Sequence, residues 1–238
     1  MKQSLAVVTG GAVRVGEAIS RRLALAGYHV VVHAFSHKAR AQALAKEIGG
    51  SWVCADLSSA HGPAHIFEHV DALDRPLQVL VNNAGIFQAA EPEHVGLSMW
   101  QKHIAVNLTA PFLCAQLAAP RMRKAGGGAI VNLLDIAALR PEENFVHYSA
   151  TKAGLEAITK GLAAQWAPDI RVNGVAPGAA LMPDDFTEAE RQERIKRTPM
   201  ACEPGAEALA ESVHFLVDGP SAINGAILNV DGGLSATW

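Results

Sequence analysis

Short runs rich in β-branched residues recur along the 238-residue chain between longer stretches with helical spacing. Uninterrupted apolar runs such as Val30-Val31-Val32 indicate strands that are buried on both faces, as in a parallel sheet covered by helices. Between the first two runs, Ile19, Leu23 and Ala26 have the spacing of one helical face. Seven strands are predicted in this way, at Leu5–Thr9, His29–His33, Ser51–Val53, Val79–Val81, Ala129–Leu133, Arg171–Val175 and Ala226–Val230.

This alternation predicts an α/β fold with a single doubly wound, Rossmann-type parallel sheet of about seven strands and helices on both faces. No repeat or linker interrupts the pattern, and 238 residues are few for two ordinary domains. One domain over residues 1–238 is therefore expected. The most irregular stretch, residues 178–198, contains Asp184 and Asp185 and then a charged helix from about Thr187. It is predicted to be a mobile substrate lid.

Charge and composition exclude several classes of partner. The formal net charge of −3 argues against nucleic acid, because a phosphate backbone is bound by a basic face. The first apolar run is too short for a signal peptide or a membrane span, so a soluble, cytoplasmic protein is expected. The three cysteines include no close pair, which indicates no disulfide framework. His61, His65 and His69 have helical spacing, but no carboxylate or cysteine completes a ligand set, so no metal site is predicted.

The first predicted strand leads into a glycine-rich turn that opens a helix. The turn reads Thr9-Gly10-Gly11-Ala12-Val13-Arg14-Val15-Gly16. Free backbone N–H groups and the positive end of a helix at such a turn suit a pyrophosphate. The turn therefore predicts a dinucleotide site at Gly10, Arg14, Val15 and Gly16, against the simpler interpretation of a purely structural turn.

Further motifs follow along the chain. They are Asp56-Leu57, Asn82-Asn83-Ala84-Gly85, Tyr148-Ser149-Ala150-Thr151-Lys152, Pro177-Gly178 and Asp231-Gly232-Gly233. With the turn, they resemble the short-chain dehydrogenases/reductases over essentially the whole chain. The resemblance implies that Asp56 hydrogen-bonds adenine, that the Asn82–Gly85 loop lies along the cofactor, and that the protein is a homotetramer. The cofactor-binding residues that it implies are Asp56, Leu57, Asn83, Ala84, Gly85, Tyr148, Lys152, Pro177 and Gly178.

The residues beyond the second strand favour NADPH over NADH. An NAD enzyme of this type usually has an acid there that binds the ribose hydroxyls and would repel a 2′-phosphate. This stretch reads His33-Ala34-Phe35-Ser36-His37-Lys38 and has no carboxylate. Ser36 and His37 can donate to a phosphate, with Arg14 and Lys38 as nearby cations. His33 and Ser36 are therefore candidate NADPH-binding residues, and the alternative for His33 and His37 is a solvated loop.

Tyr148 and Lys152 are four residues apart, so on a helix they share a face and the ammonium lies close to the phenol. The adjacent cation favours the phenolate by lowering the pKa of Tyr148, which makes Tyr148 the predicted general acid. The resemblance implies that Asn107 supports Lys152 through a water in a proton relay. Alternatively, Asn107 is a polar residue that relieves a buried backbone kink.

One position departs from the family pattern, which usually has a serine thirteen residues before the tyrosine. This chain has Asp135 there. The site is either damaged and binds cofactor without chemistry, or it is tuned for a substrate other than a simple ketone. A carboxylate would oppose the negative charge that develops on a carbonyl oxygen during hydride attack. Reduction of a C=N bond instead leaves a nitrogen that must gain a proton, which Asp135 coupled to Tyr148 can help to deliver.

Two further departures concern the substrate side. Arg14 replaces the middle glycine of the turn, and Phe87 follows the Asn82–Gly85 loop. An arginine and an aromatic ring suit a flat, polar heterocycle stacked between Phe87 and the nicotinamide, although Phe87 could also be core packing. In these features the chain resembles the pteridine reductases and dihydromonapterin reductases. The resemblance implies a pterin substrate bound by Arg14, Phe87, Asp135 and Tyr148.

The sequence thus predicts an NADPH-dependent reductase of a dihydropterin C=N bond, with Tyr148, Asp135, Lys152 and Asn107 as catalytic residues. One alternative is a ketone or 3-oxoacyl reductase of the same fold, which a serine at position 135 would have supported. Another is a non-catalytic NADPH-binding sensor or partner protein. Retention of the tyrosine, the lysine and the asparagine argues against that last alternative.

Overall fold

The computed structural model describes residues 3–178 and 187–237. Seven strands form one sheet in the order β3-β2-β1-β4-β5-β6-β7, and every pairing is parallel. The strands are β1 (Leu5–Val8), β2 (His29–Ala34), β3 (Ser51–Cys54), β4 (Leu77–Asn82), β5 (Gly128–Leu133), β6 (Ile170–Pro177) and β7 (Ile227–Val230). The predicted fold class, including the number of strands, is confirmed.

Helices connect these strands on both faces of the sheet. They are α1 (Arg14–Leu25), α2 (Lys38–Glu47), α3 (Gly62–Ala72), α4 (Leu97–Ile104), α5 (Ala110–Lys124), α6 (Val146–Trp166), α7 (Glu188–Lys196) and α8 (Gly205–Asp218). A π-helical turn, Ala105–Thr109, joins α4 to α5. Short 3-10 segments lie at Pro92–His94, Ile136–Ala138 and Leu234–Ala236.

The uninterrupted apolar runs arise because each strand contributes to two cores. Alternate side chains point to opposite faces of a sheet. In β1, Leu5 and Val7 pack in the core under α3, α5 and α6. Ala6 and Val8 pack in the core under α1, α2 and α8. A strand covered in this way needs apolar residues at every position, which is the pattern seen in the sequence.

The strand order reverses at β1, and this reversal creates the crevice of the fold. The chain leaves β1 for β2 and β3 on one side and returns to β4 on the other side of β1. The loops after β1 and β4 therefore diverge at the carboxyl edge of the sheet, where doubly wound folds bind ligands. The glycine-rich turn and the Asn82–Gly85 loop both lie at this edge.

The predicted lid is described only in part. Helix α7 agrees with the charged helix predicted from about Thr187. Residues 179–186, which include Asp184 and Asp185, lie outside the described residues, so the mobile lid stays a prediction. None of the helices in the described part of the chain is both long and apolar enough to cross a lipid bilayer.

Candidate active site

The glycine-rich turn between β1 and α1 has a backbone that requires glycine at two positions. Gly10 has a φ of +62°, which is in the left-handed region that favours glycine. A Cβ atom at Gly16 would lie 2.0 Å from the carbonyl oxygen of Gly10. The turn is therefore folded tightly against the first residues of α1, and its backbone is accessible from the crevice.

A cavity of about 640 Å³ begins at this turn and continues past the ends of β2, β3 and β4. Its volume is in the range of small-molecule and cofactor pockets. Eleven of the predicted cofactor-binding residues line it: Gly10, Arg14, Val15, Gly16, His33, Ser36, Asp56, Leu57, Asn83, Ala84 and Gly85. A glycine cradle of this form, which a Cβ at Gly16 would fill, fits a dinucleotide.

The loop after β4 is attached directly to the turn. The hydroxyl oxygen of Thr9 accepts hydrogen bonds from the backbone N–H groups of Asn83 and Ala84, both at 3.0 Å. The Asn83 amide in turn donates to the backbone oxygens of Thr9 and Gly10, at 2.9 and 3.1 Å. These bonds hold the two sides of the crevice together. Asn82 instead points into the protein, where its amide donates to the side-chain oxygen of Asn132 at 2.8 Å.

His33 differs from its predicted environment. Its side chain is 2% exposed, so the interpretation of a solvated loop is wrong for this residue. Its Nδ1 lies 3.0 Å from the backbone nitrogen of Gly10, and its Nε2 lies 3.0 Å from the carbonyl oxygen of Ala55. Both ring nitrogens are thus bonded to backbone, and neither is left to bind a 2′-phosphate. Ser36 and His37 are exposed at the cavity, with the serine oxygen 3.1 Å from the imidazole Nδ1.

Arg14 adopts a backbone conformation that is unusual for its residue type. Its φ is +53°, in the left-handed region, where a side chain costs about 1 kcal/mol or more. Glycine would occupy this position without that cost. Because Arg14 also lines the dinucleotide cavity, the strained position favours a functional use of its side chain.

The replacement of Arg14 by glycine tests the backbone strain and the binding role of the side chain separately. We expect Arg14→Gly to leave the free energy of unfolding within about 1 kcal/mol of the parent, because relief of strain offsets the extra freedom of glycine in the unfolded chain. We expect its affinity for NADPH to fall about tenfold, through loss of a charged hydrogen-bond donor. Chemical unfolding and dinucleotide titration measure the two quantities.

Asp74→Gly is the matched control for this variant. Asp74 has a φ of +48° and lies in the α3–β4 connection, away from the cavity. Its replacement should leave dinucleotide affinity unchanged. Unchanged affinity in Arg14→Gly as well would assign Arg14 to the turn alone.

Asp135, Tyr148 and Lys152 come together at the carboxyl end of β5. The Tyr148 hydroxyl donates to Asp135 Oδ2 at 2.8 Å, and Asp135 Oδ1 accepts the backbone N–H of Ala137 at 2.8 Å. The Lys152 ammonium donates to the carbonyl oxygen of Leu133 at 2.7 Å and lies 5.6 Å from the centre of the Tyr148 ring. The tyrosine and the lysine are each 6% exposed. Asp135 thus contacts the predicted acid directly.

The protonation of this cluster differs from the sequence-based expectation. Burial, together with the charge of Asp135, raises the pKa of Tyr148 well above its usual range, so the prediction that Lys152 would lower it is wrong for this geometry. The carboxylate is within hydrogen-bonding distance of the hydroxyl, whereas the ammonium is directed at a backbone carbonyl. Burial also raises the pKa of Asp135 and lowers the pKa of Lys152 to about 8. A carboxyl group that gains a proton easily therefore lies beside a phenol that keeps its own.

Asn107 lies in the π-helical turn, close to the predicted kink. Its Oδ1 accepts the backbone N–H of Ile86 at 2.8 Å, and its amide donates to the Ile86 carbonyl at 2.9 Å and more weakly to Thr151 Oγ1 at 3.4 Å. It therefore fastens the loop after β4 to α6. None of these contacts reaches Lys152, so the water-mediated relay stays a prediction.

An aromatic cluster lies beside Tyr148. The Phe87 ring is stacked on Phe145 with centroids 4.1 Å apart and an interplanar angle of 6°. It also meets Tyr148 edge-on at 4.8 Å. Because Phe87 remains 46% exposed, it is not a core residue. Phe145 was missed from the sequence, although its place three residues before Tyr148 puts it near the same face of α6.

A second cavity of about 700 Å³ opens next to this cluster, and it was not predicted. It extends from Phe145 and Ile136 to the C-terminal segment. Its charged residues are Arg140, Glu142, Glu143 and Arg197. The dinucleotide cavity also has an unpredicted cation, Lys102 of α4.

The Pro177-Gly178 motif and the Asp231-Gly232-Gly233 motif contact each other. A Cβ at Gly178 would lie 2.7 Å from the Cβ of Asp231, so Pro177-Gly178 packs against Asp231-Gly232-Gly233. Neither Pro177 nor Gly178 is among the residues that line the dinucleotide cavity. Within the described ranges, no group of three or more His, Cys, Asp or Glu side chains is arranged to hold a metal ion. His69 instead lies 3.2 Å from the hydroxyl of Ser51.

Known proteins are similar to this chain in both sequence and fold. Residues 11–235 match a family model described as "Enoyl-(Acyl carrier protein) reductase". The chain is 36% identical to a cis-4-hydroxycyclohexanecarboxylate dehydrogenase from Sinomonas cyclohexanicum, over 98% of this chain and 97% of the relative. It is 33% identical to the 3-oxoacyl-[acyl-carrier-protein] reductase FabG from Aquifex aeolicus (strain VF5), over 98% of both chains.

A solved structure with the same architecture is that of a short-chain alcohol dehydrogenase from Sinorhizobium meliloti 1021. The two chains superpose with a TM-score of 0.91 and share 31% sequence identity. The match covers 100% of this chain and 98% of the other. The architecture and the sequence thus agree over the whole length.

Proposed function

The chain belongs to the short-chain dehydrogenase/reductase family and is an NAD(P)-dependent oxidoreductase, and from that premise we propose that it is an NADPH-dependent reductase of a pterin-type C=N bond. The observation that carries this proposal is the 2.8 Å hydrogen bond between Tyr148 and Asp135, at the position where the family usually has serine. Membership of an oxidoreductase family argues against a non-catalytic sensor.

The choice of NADPH is supported by the end of β2. Ala34 lines the cavity at the position where an acid would select NADH. The exposed Ser36 and His37 follow it and can donate to a 2′-phosphate. His33 is not part of this phosphate site, because both of its ring nitrogens are hydrogen-bonded to backbone.

We expect NADPH to bind at least about tenfold more tightly than NADH, equivalent to about 1.4 kcal/mol. Ala34→Asp should reverse the preference, because its carboxylate would repel the 2′-phosphate and accept hydrogen bonds from the ribose. Ala34→Asn is the matched control, since it has the same size without the charge. Titration of each protein with both dinucleotides gives the affinities. Equal affinities in the parent, or an equal shift in both variants, would contradict the charge argument.

The residues of the catalytic cluster have separate roles in the proposed reaction. A dinucleotide held by the glycine-rich turn and the Asn82–Gly85 loop would supply a hydride to the carbon of the C=N bond. Tyr148 gives its hydroxyl proton to the nitrogen, so the double bond gains one hydride and one proton. Asp135 in its protonated form returns a proton to the Tyr148 oxygen across the 2.8 Å hydrogen bond. Lys152 provides positive charge beneath the ring while the phenol is deprotonated.

The carboxyl group distinguishes between the two substrate classes. Reduction of a ketone builds negative charge on oxygen, and Asp135 in its ionised form would raise the energy of that state. Reduction of an imine requires a proton at nitrogen, and the raised pKa of Asp135 makes such a proton available. The exposed ring of Phe87, beside Tyr148, supports a flat heterocycle as the substrate.

A ketone or 3-oxoacyl substrate is the second candidate, and the named relatives favour it over a pterin. By name they are reductases of 3-oxoacyl groups and dehydrogenases of hydroxyl compounds. Proton donation by Tyr148, with Lys152 close to its ring, serves either class of substrate.

Oxidation of NADPH against a panel of dihydropterins and ketones tests the choice. The expected result is turnover with a dihydropterin, inhibited by a pteridine-shaped antifolate, and little turnover with simple ketones. Turnover with 3-oxoacyl substrates alone, without antifolate inhibition, would establish the second candidate instead.

We further propose that residues 1–238 act as one NADPH-binding domain of a cytoplasmic homotetramer. The assembly is supported by family resemblance and by the exposed apolar side chains Leu97 and Trp100 of α4 and Phe112 of α5. Light scattering of the purified protein would give its mass.

A further inference from the structure

The imidazole of His33 bridges two segments of the dinucleotide cavity that are far apart in sequence. Its Nδ1 is 3.0 Å from the backbone nitrogen of Gly10, in the phosphate turn. Its Nε2 is 3.0 Å from the carbonyl oxygen of Ala55, just before Asp56 and Leu57. The backbone of the same residue adds a third connection, because its carbonyl accepts the N–H of Gly11 at 2.9 Å.

These partners determine the protonation state of the ring. A backbone N–H can only donate, so Nδ1 must accept from Gly10 and carry no proton. A carbonyl oxygen can only accept, so Nε2 must carry the proton that is donated to Ala55. The bridge therefore requires the neutral ring in its Nε2–H form. A doubly protonated ring would direct an N–H group at the N–H of Gly10 and break that bond.

We propose that neutral His33 is a positioning residue for dinucleotide binding, which fixes the phosphate turn relative to the adenine side of the cavity and releases it when the ring is protonated. The proposal rests on the dinucleotide binding argued above, and it is independent of the substrate. It assigns His33 no contact with the 2′-phosphate.

The surroundings of the ring favour the neutral form. Burial lowers the pKa of His33 below the usual value near 6.5, and the hydrogen bond to Ala55 opposes this shift only partly. The titratable groups on the neighbouring segments are Arg14 in the turn, Cys54 and Asp56 at the end of β3, and His37 before α2. The Asp56 carboxylate accepts from the backbone N–H and the hydroxyl of Ser58, at 2.8 and 2.7 Å. Affinity should therefore be constant near neutral pH and fall only in acid, below about pH 6.5.

The test measures binding of NADP⁺ and NAD⁺ by calorimetry between pH 5 and pH 8. NAD⁺ is essential because the 2′-phosphate of NADP⁺ itself titrates near pH 6, as other phosphate monoesters do. In the parent, the affinity for NAD⁺ should fall in acid. In His33→Gln, whose amide can accept from Gly10 and donate to Ala55 without titrating, we expect affinity within about threefold of the parent at pH 8 and no loss in acid.

Two further variants complete the series. His33→Ala leaves a buried N–H and a buried carbonyl unpaired, so its affinity should be at least about tenfold weaker at every pH. His29→Gln is the matched control. It makes the same change at the other end of β2, in a histidine whose pKa is also lowered by burial. Its affinity for NAD⁺ should fall in acid as that of the parent does.

A measurement on the parent alone covers the case in which His33→Gln does not fold. Nitrogen-15 NMR of the histidine rings should find His33 in the Nε2–H form at pH 8, and its titration should coincide with the loss of NAD⁺ affinity. An Nδ1–H ring, a titration that does not coincide, or an acid-dependent loss that persists in His33→Gln would overturn the proposal. A parent that binds neither dinucleotide would overturn the family activity itself, which is a different result.

Discussion

Replacement of Tyr148 by phenylalanine is expected to lower turnover by about two orders of magnitude or more, while dinucleotide affinity stays within about threefold of the parent. The change removes one hydroxyl and keeps the ring, so the edge-on contact with Phe87 at 4.8 Å is preserved. Asp135 also keeps its hydrogen bond from the backbone of Ala137. What is lost is the proton that the reduced atom of the substrate must receive.

The chain contains a matched control for this experiment, because it has two tyrosines. Tyr28 donates its hydroxyl to Asp218 Oδ1 at 2.6 Å, which is also a tyrosine–carboxylate pair. It lies before β2, far from the carboxyl edge of the sheet. Tyr28→Phe should leave turnover unchanged. Single-turnover rates and dinucleotide titration separate chemistry from binding, and a Tyr148→Phe rate within about twofold of the parent would exclude Tyr148 as the acid.

The fold and the position of the crevice could be predicted because both depend on patterns that are local in sequence. Runs such as Val30–Val32 have the continuous apolar character that two-sided burial requires. The glycine-rich turn has a backbone that only certain residues allow. The turn residues Gly10, Arg14, Val15 and Gly16 line one cavity together with five residues that the family resemblance implies, which are Asp56, Leu57, Asn83, Ala84 and Gly85.

Other features could not be predicted because they depend on contacts between segments distant in sequence. The burial of His33 depends on the turn at Gly10 and on Ala55, which the sequence does not place against each other. Lys102 precedes the π-helical turn at Ala105–Thr109, and a π turn shifts the helical phase. An estimate based on 3.6 residues per turn therefore misplaces Lys102 relative to Asn107.

The protonation of the cluster is a similar case. Spacing alone places Lys152 beside Tyr148 and suggests a lowered pKa. In the structure, the Lys152 ammonium donates a hydrogen bond to the carbonyl of Leu133, and the Tyr148 hydroxyl donates one to Asp135. Burial is the main cause of the raised pKa of Tyr148, and the carboxylate, as the nearer charge, raises it further.

Asp135→Ser should lower turnover of a dihydropterin by about tenfold or more and leave any weak activity on an activated ketone level or raised. Serine cannot resupply a proton to Tyr148 as a carboxylic acid can, which slows reduction of a C=N bond. Its hydroxyl can donate to a developing oxyanion, which a carboxylate opposes. The two substrates should therefore respond in opposite directions to one substitution.

The structural role of Asp135 can be separated from its chemical role. Asp135 precedes the 3-10 segment Ile136–Ala138 and caps it by accepting the N–H of Ala137. Serine and asparagine cap as well as aspartate does, whereas alanine costs about 1 kcal/mol. Asp135→Ser and Asp135→Asn should thus keep the fold, and thermal unfolding of both variants checks this.

Asp135→Asn then isolates the acidic proton, since asparagine is close in shape. Its side-chain oxygen can keep the cap by accepting from Ala137, and its NH2 group can donate to the Tyr148 oxygen, but it has no acidic proton to give. We expect it to lower dihydropterin turnover as Asp135→Ser does. A proton donor acts only while it is protonated. Turnover of the parent should therefore fall as the pH rises through the raised pKa of Asp135. This fall in turnover should be absent from the pH profiles of both variants. Assays with saturating NADPH on a dihydropterin and a diketone across this range decide the matter. If Asp135→Ser reduces the dihydropterin as fast as the parent, the carboxyl group is incidental, and the case for a pterin then depends on Arg14 and Phe87 alone.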